Sequence, residues 1–337
     1  MLALLPLPAF PTGLALLAAL MVAVVRPASG LAAYAIVLGY AIATDATRLQ
    51  PAVVSFALLM AARLPGTAGL AIARAHVLTL WFYAGFHKLL SPDFMAGTRN
   101  PWMLRAVFGD PPRWMRDIYP ASVVAAEIGL ALAAAVPRTR KLAALWAAAL
   151  HASILLPLLP IGHDWNRSVW AWNAVLACCG FFLVAPWRES IRDCLRLQPG
   201  WARAAIAVLA LYPAAWQLGI GDPYLAHQLY AESAPLSYVC RTNEPPPSRP
   251  GLGHVYPTPD GRYQCRFVDF FSWLDVPEPG EHWFARRYFE RTCAPGEILF
   301  IRERRRFFLA RGQQWDYSRC ARGSARSSAG VSPAGGR

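Results

Sequence analysis

Ionisable side chains inside apolar runs are costly to bury, so each one in this chain is a candidate for chemistry. Lys88 closes the run that carries Trp81-Phe82-Tyr83-Ala84-Gly85-Phe86-His87-Lys88-Leu89. A lysine held among apolar groups can give up its charge and act as a base. Its other reading is a helix-end lysine whose stem lies along lipid while the ammonium reaches the interface. His151 stands in the middle of LAALWAAALHASILLPLLP, with Glu127 in the apolar run before it and Asn173 in the run after it. It could be a neutral hydrogen-bonding partner, a proton relay, a metal ligand or a satisfied histidine of a helical core. If the three runs pack together, Glu127, His151 and Asn173 form one buried polar cluster. Arg74, His76, Tyr83 and His87 share the run of Lys88 and join the candidate pocket. Arg74 needs a carboxylate at that depth, and Glu127 is the candidate.

Other chemistries find little support. His163-Asp164-Trp165-Asn166-Arg167 is a short loop that could bind a polar headgroup or be a solvated turn. No His, Cys or Asp grouping has metal-ligand spacing, so no metal is expected. No GxGxxG, Walker or GxSxG pattern occurs, which argues against nucleotide binding and serine hydrolysis. The net charge of +13 comes without a recognition helix or an aromatic-basic strand, so no nucleic-acid partner is expected. Arginines beside apolar runs fit interfacial anchoring and anionic lipid instead.

The elements that must hold these residues follow from composition. Of 337 residues 55% are hydrophobic and 16% charged, against about 25% charged in soluble globular chains. The charge is concentrated from Arg241 onward, so the chain divides between two solvents, lipid and water. Apolar runs cover Leu2–Val25, Leu31–Ala43, Pro51–Ala62, Thr67–Phe86, Ala121–Val136, Leu142–Leu159, Val169–Val184 and Ala202–Leu218. The first lacks the basic start and small-residue cleavage site of a signal peptide and reads as a span. Pro51–Ala62 is short for a hydrocarbon core that needs about 20 helical residues. Segments 91–119 and 187–200 read as interfacial helices and turns. The expectation is a mainly α polytopic bundle of about seven or eight spans over residues 1–218, with the lipid bilayer as its partner.

Residues 219–322 are expected to form a small soluble α+β domain, opened by the Pro-rich stretch 243–248, with residues 323–337 disordered. RYQCRFVDFFSW and EILFIRERRRFFLA read as strands, and EHWFARRYFERTC as a helix between them. Cys240, Cys265, Cys293 and Cys320 lack CxxC pairing; two disulfides suit an oxidising compartment, and four free thiols suit a reducing one. The basic connections Arg138-Thr139-Arg140-Lys141 and Arg188–Arg203 fall on one side, taken as cytoplasmic, which leaves the C-terminal domain outside.

The Tyr83-Ala84-Gly85-Phe86-His87-Lys88-Leu89 segment, followed by Asp93-Phe94 and Gly97, resembles the HTTM membrane domain. That domain is the transmembrane module of vitamin K-dependent gamma-carboxylase and its bacterial relatives. Phe94 stands where Trp is usual. Leu150-His151-Ala152-Ser153, leading through Ile161-Gly162 to Val169-Trp170-Ala171, is similar to the family's His-containing span, without its following Phe-Ser. Asp222-Pro223-Tyr224-Leu225 and Leu229-Tyr230 are a looser match, and the whole covers about residues 10–235. DoxX-like membrane proteins share the Ala-Gly-x-x-Lys-Leu pattern.

The resemblance to a family with many bacterial members implies a bacterial inner-membrane protein, and the orientation read from the basic connections then makes the C-terminal domain periplasmic. It makes Lys88 the candidate base and His151 a pocket-lining candidate, with a reduced quinone such as vitamin K hydroquinone as cofactor. The implied reaction is carboxylase-like or epoxidase-like. The short C-terminal region does not match the large lumenal domain of the animal enzyme. The rival reading is a non-catalytic DoxX-like scaffold whose C-terminal domain binds a protein partner. A transporter is disfavoured because no inverted repeat is visible. The enzyme reading requires Lys88 and His151 to approach one enclosed pocket.

Overall fold

The structure, a computed structural model, describes residues 10–44, 50–96, 101–162, 167–218, 220, 225–227, 236–242, 255–257, 263–267, 286, 289–291, 293–302 and 315–320. It divides into two compact units, one holding the helices and the other the strands. The division falls after Ser233, whereas sequence reasoning placed it after Leu218.

The helical unit begins with α1 (Phe10–Val25), α2 (Pro27–Thr44) and α3 (Pro51–Met60), followed by α4 (Ala68–Leu90). The short α5 (Pro92–Met95) and α6 (Pro101–Phe108) lead to α7 (Arg113–Ala135) and α8 (Arg140–Leu158). Then come α9 (Ser168–Cys179), α10 (Ile191–Arg196) and α11 (Gly200–Ala215). Three stretches are long and apolar enough to cross a membrane: Pro27–Thr44, Arg113–Ala135 and Pro137–Leu158. Helix α4 matches them in length, with 23 residues, and carries Arg74, His76, His87 and Lys88 along it. The apolar stretches Pro11–Val25, Pro51–Arg63 and Val169–Val184 are shorter, at 10–17 residues. Large apolar side chains such as Val25, Ile36, Leu145, Phe182 and Leu211 stand exposed, an arrangement suited to lipid contact.

Two local features depart from the sequence reading. The stretch expected to stay interfacial up to Tyr119 contributes the first turns of α7, which starts at Arg113 directly after Pro112 and continues through Pro120. Helix α9 ends in a π-helical turn, Gly180–Val184, which lengthens it without changing its direction to a loop. The main core lies among α4, α7, α8 and α9, around Val77, Trp81, Leu130, Ala147, Leu158 and Leu176. A second core joins α1, α2 and α3 through Leu16, Tyr34, Leu38 and Val53, and the Tyr34 hydroxyl donates to the Val53 carbonyl at 3.0 Å.

In the other unit β1 (Leu236–Thr242), β2 (Val255–Pro257), β3 (Tyr263–Phe267), β4 (Glu297–Arg302) and β5 (Trp315–Arg319) form one antiparallel sheet in the order β2-β3-β1-β4-β5. Strands β3 and β4 fall within the two predicted strand segments, and residues 289–291 are helical within the predicted helix. The Pro-rich stretch 243–248 lies outside the described residues, but β1 precedes it, so it does not open the domain. Val239, Phe289, Leu299 and Ile301 make the small core. Cys293 and Cys320 form a disulfide. Cys240 is also disulfide-bonded, and it stands opposite Cys265 in the register of β1 and β3.

Candidate functional site

Lys88 and Glu127 meet where α4 packs on α7, and Gly85 lets them do so. A Cβ at Gly85 would come within 2.8 Å of Ile128 Cγ1 and 3.0 Å of Glu127 Cβ, so any side chain there would push the helices apart. With the backbones this close, Lys88 Nζ lies 2.7 Å from Glu127 Oε1 and 2.8 Å from Oε2. A third donation, to the Ala84 carbonyl at 3.4 Å, completes the ammonium. Both side chains are buried, at 7% and 8% exposure. Ser91 then caps α5 by accepting from the Phe94 amide at 3.3 Å, which brings the Phe94 ring to 5.9 Å from Lys88 Nζ. The Ala-Gly-x-x-Lys-Leu-x-Ser-Pro-Asp-Phe string thus builds one structure: close approach, ion pair and aromatic cover.

The ion pair forms part of the wall of two cavities. The larger, about 360 Å³, is lined mainly by apolar groups of α6, α7 and α8, including Met103, Leu104, Phe108, Val123, Ile154 and Pro157. Lys88 and Glu127 are its charged groups, and Tyr119 and Ser153 add hydroxyls. The smaller, about 60 Å³, is lined by Lys88, Glu127, His151, Asn173, Trp172 and His227 among others. Lys88 and His151 therefore line one small cavity.

His151 is fixed by its partners. Trp81 Nε1–H can only donate, and it does so to His151 Nε2 at 3.0 Å. The ring proton is thereby assigned to Nδ1, which donates to Asn173 Oδ1 at 2.9 Å. Asn173 Nδ2 donates in turn to the Val169 carbonyl at 2.9 Å. This chain holds a neutral imidazole whose nitrogens are both used. His151 can take a proton only by giving up Trp81.

Arg74 does not pair with Glu127. It lies 3.8 Å from Glu189 Oε2 and donates to the Leu183 carbonyl at 3.1 Å, because its place near the start of α4 is some 20 Å of helix rise from Lys88. Sequence reasoning missed its neighbour Arg140, which is 1% exposed and donates to the carbonyls of Ala134, Ala135, Trp187 and Glu189. Its guanidinium lies 3.7 Å from the centroid of the Trp187 ring, and Arg74 lies 5.0 Å from it. Close by, burial pushes the Cys194 thiol above its ordinary range, against the pull of Arg74 and Arg140. This assembly is a clamp between helix ends rather than part of the Lys88 site.

His76, Tyr83 and His87 do not join the Lys88–Glu127 pair. His76 Nε2 is 2.9 Å from Ser55 Oγ, Tyr83 donates to the Ala210 carbonyl at 2.6 Å, and His87 Nδ1 is 2.6 Å from Gln217 Nε2. Residues 163–166 of the polar loop, and Gly97, residues 222–224 and residues 229–230 of the family-like segments, lie outside the described residues. Among the described residues no group of His, Cys, Asp or Glu could hold a metal ion. Comparison with protein-family models, curated proteins and solved structures finds no match.

Proposed function

We propose that the chain is a multi-pass membrane enzyme of the HTTM type whose Lys88–Glu127 pair moves protons to and from a lipid-soluble quinol. The observation that carries this is the bidentate pair placed in the wall of an otherwise apolar cavity of about 360 Å³. Such a volume falls in the usual range for small-molecule sites, with apolar walls and a few convergent polar groups. Phe94, Phe108 and Met103 suit a ring system, and the pair suits its hydroxyl.

The pair works as a unit. Glu127 takes one proton from the Lys88 ammonium, and the neutral amine then accepts a proton from the ligand hydroxyl. Neither residue alone can do this in a dry site, because each would be left as an unpaired charge. Lys88 is the base, Glu127 its proton acceptor, and His151 with Asn173 a positioning element for the inner wall. A bound reduced quinone would supply the reducing chemistry of a carboxylase-like or epoxidase-like reaction. In this reading the eight apolar helices α1–α4, α7–α9 and α11 all cross the bilayer of a bacterial inner membrane. Disulfide bonding in the C-terminal domain suits an oxidising compartment and supports a periplasmic side for it in this reading.

The test is quinone content. Protein purified from membranes is extracted and its lipids identified by mass spectrometry, then offered vitamin K hydroquinone in detergent. Wild type is expected to retain a quinone or take up the added hydroquinone. Phe108→Trp, which fills the cavity, is expected to lose it. Wild type that neither carries nor takes up a quinone would overturn the proposal in favour of a scaffold with a structural ion pair.

A further inference from the structure

Helix α4 carries a second polar set, with partners other than the Lys88–Glu127 pair. His76, Tyr83 and His87 are seven and eleven residues apart, which returns them to one side of the helix. That side meets α11 through the Tyr83 hydrogen bond to Ala210, and the turn just after α11 through the contact of Gln217 with His87. At its His76 end α3 closes in, and the His227 ring lies 5.6 Å away. His227 has φ +61°, a left-handed conformation that a non-glycine residue adopts at a cost, and here it turns the chain beside His76.

Between α3, α11 and this turn lies a cavity of about 280 Å³. Val54, Leu58, Val208 and Leu209 are among its apolar walls, Ser55, Tyr212 and His227 add polar groups, and among the described residues no Asp, Glu, Lys or Arg lines it. His76 lines it too, is 1% exposed, and has a buried Nδ1 without a hydrogen-bond partner among the described residues. An unpaired buried nitrogen is costly, and protein interiors rarely leave one. Water satisfies such an atom where several polar groups converge, but a space this large and this apolar is poorly filled by water alone.

We propose that this cavity binds a neutral amphiphile from the lipid phase, with its hydroxyl on His76 Nδ1 and its chain along Val54, Leu58, Val208 and Leu209. The lining dictates each part. Without a charged partner, an anionic or cationic head would be buried unpaired. A hydroxyl both donates and accepts, so it pairs with Nδ1 whichever tautomer Ser55 selects. Val208, 61% exposed, puts the cavity within reach of the acyl-chain region. The site rests on the membrane reading of the helices and on no role for Lys88.

The experiment uses the full chain in lipid nanodiscs and a long-chain fatty alcohol carrying a diazirine in its chain. After photolysis, adducts are expected on the α3 and α11 peptides and suppressed by excess unlabelled alcohol. The matching fatty acid at neutral pH is expected to compete poorly. Val54→Trp, which fills the space, is expected to lower labelling at least tenfold. His76→Phe is expected to lower affinity about tenfold, the equivalent of one hydrogen bond. The Glu127→Gln and Lys88→Met double variant, which removes both charges of the pair, should still be labelled on the α3 and α11 peptides, which separates this site from the quinol proposal. Adducts spread over the lipid-facing helices, or equal competition by acid and alcohol, would overturn the assignment. The wild-type competition decides this even where a variant fails to fold.

Discussion

At the scale of the residue, the site turns on what each polar atom touches. Lys88 was legible as a candidate because an ammonium among apolar residues is conspicuous in any sequence. Its partner was not. Glu127 could have answered Arg74 or Lys88, and only the relative depth of α4 and α7 decides between them. Arg140 escaped notice because its acceptors are backbone carbonyls, which every residue has and no residue type advertises. The buried pair makes a specific energetic prediction. Glu127→Gln or Lys88→Met alone leaves one charge buried without its counter-ion and should cost about 3–5 kcal/mol. The double variant removes both charges and should recover most of that loss, a strong non-additivity. Thermal unfolding in detergent of the two single variants and the double variant measures it. Additive losses of Tm would show that the two side chains do not depend on each other.

At the scale of the element, long apolar runs were easy to read and their fine structure was not. The run that became α8 has the composition of a span, and its helix is long and apolar enough to cross a membrane. The start of α7 was hidden because Pro120 looks like a boundary, yet a proline one turn or more inside a helix can kink it without ending it. The π-helical turn after α9 has no sequence signature, since it is set by packing. Gly85 is the opposite case, a residue whose place in a motif has a direct geometric reason. Gly85→Leu would drive carbon into Ile128 and Glu127, and overpacking of this kind costs about 1–3 kcal/mol. Gly39 of α2 has open space beside it, so Gly39→Leu is the matched control. Unfolding temperature should fall for Gly85→Leu and hold for Gly39→Leu. Because the same change separates Lys88 from Glu127, it should also abolish uptake of added hydroquinone. Equal Tm values for the two variants would mean that close approach of α4 and α7 is not what the glycine provides.

At the scale of the whole molecule, charge and sulfur chemistry point the same way. Arg140 donates to backbone carbonyls of the 187–189 turn, so the two basic connections, 138–141 and 188–203, meet at one end of the helical unit. Thr67, before α4, lies 3.3 Å from Gln198 at that same end. Lysine and arginine concentrated in short connections mark the cytoplasmic side. Cysteines divide in parallel: Cys178, Cys179 and Cys194 of the helical unit are free thiols, while Cys293 and Cys320 of the sheet unit are bonded. Under the proposed eight crossings an even number of spans separates the N-terminus from the sheet unit, and an odd number separates the basic connections from it. The connection 138–141 follows the fifth apolar long or short span and the sheet unit follows the eighth, so the two lie on opposite faces. A membrane-impermeant maleimide distinguishes the faces in intact spheroplasts. Arg138→Cys should stay unlabelled until the membrane is permeabilised, and Glu290→Cys, on an exposed residue of the sheet unit, should label at once. Reduction before labelling should add the Cys293 and Cys320 thiols to the externally reactive pool. Labelling of both sites from outside, or of neither, would give the bundle an even separation. One of the short helices, α3 with its 10 residues foremost, would then be re-entrant rather than spanning.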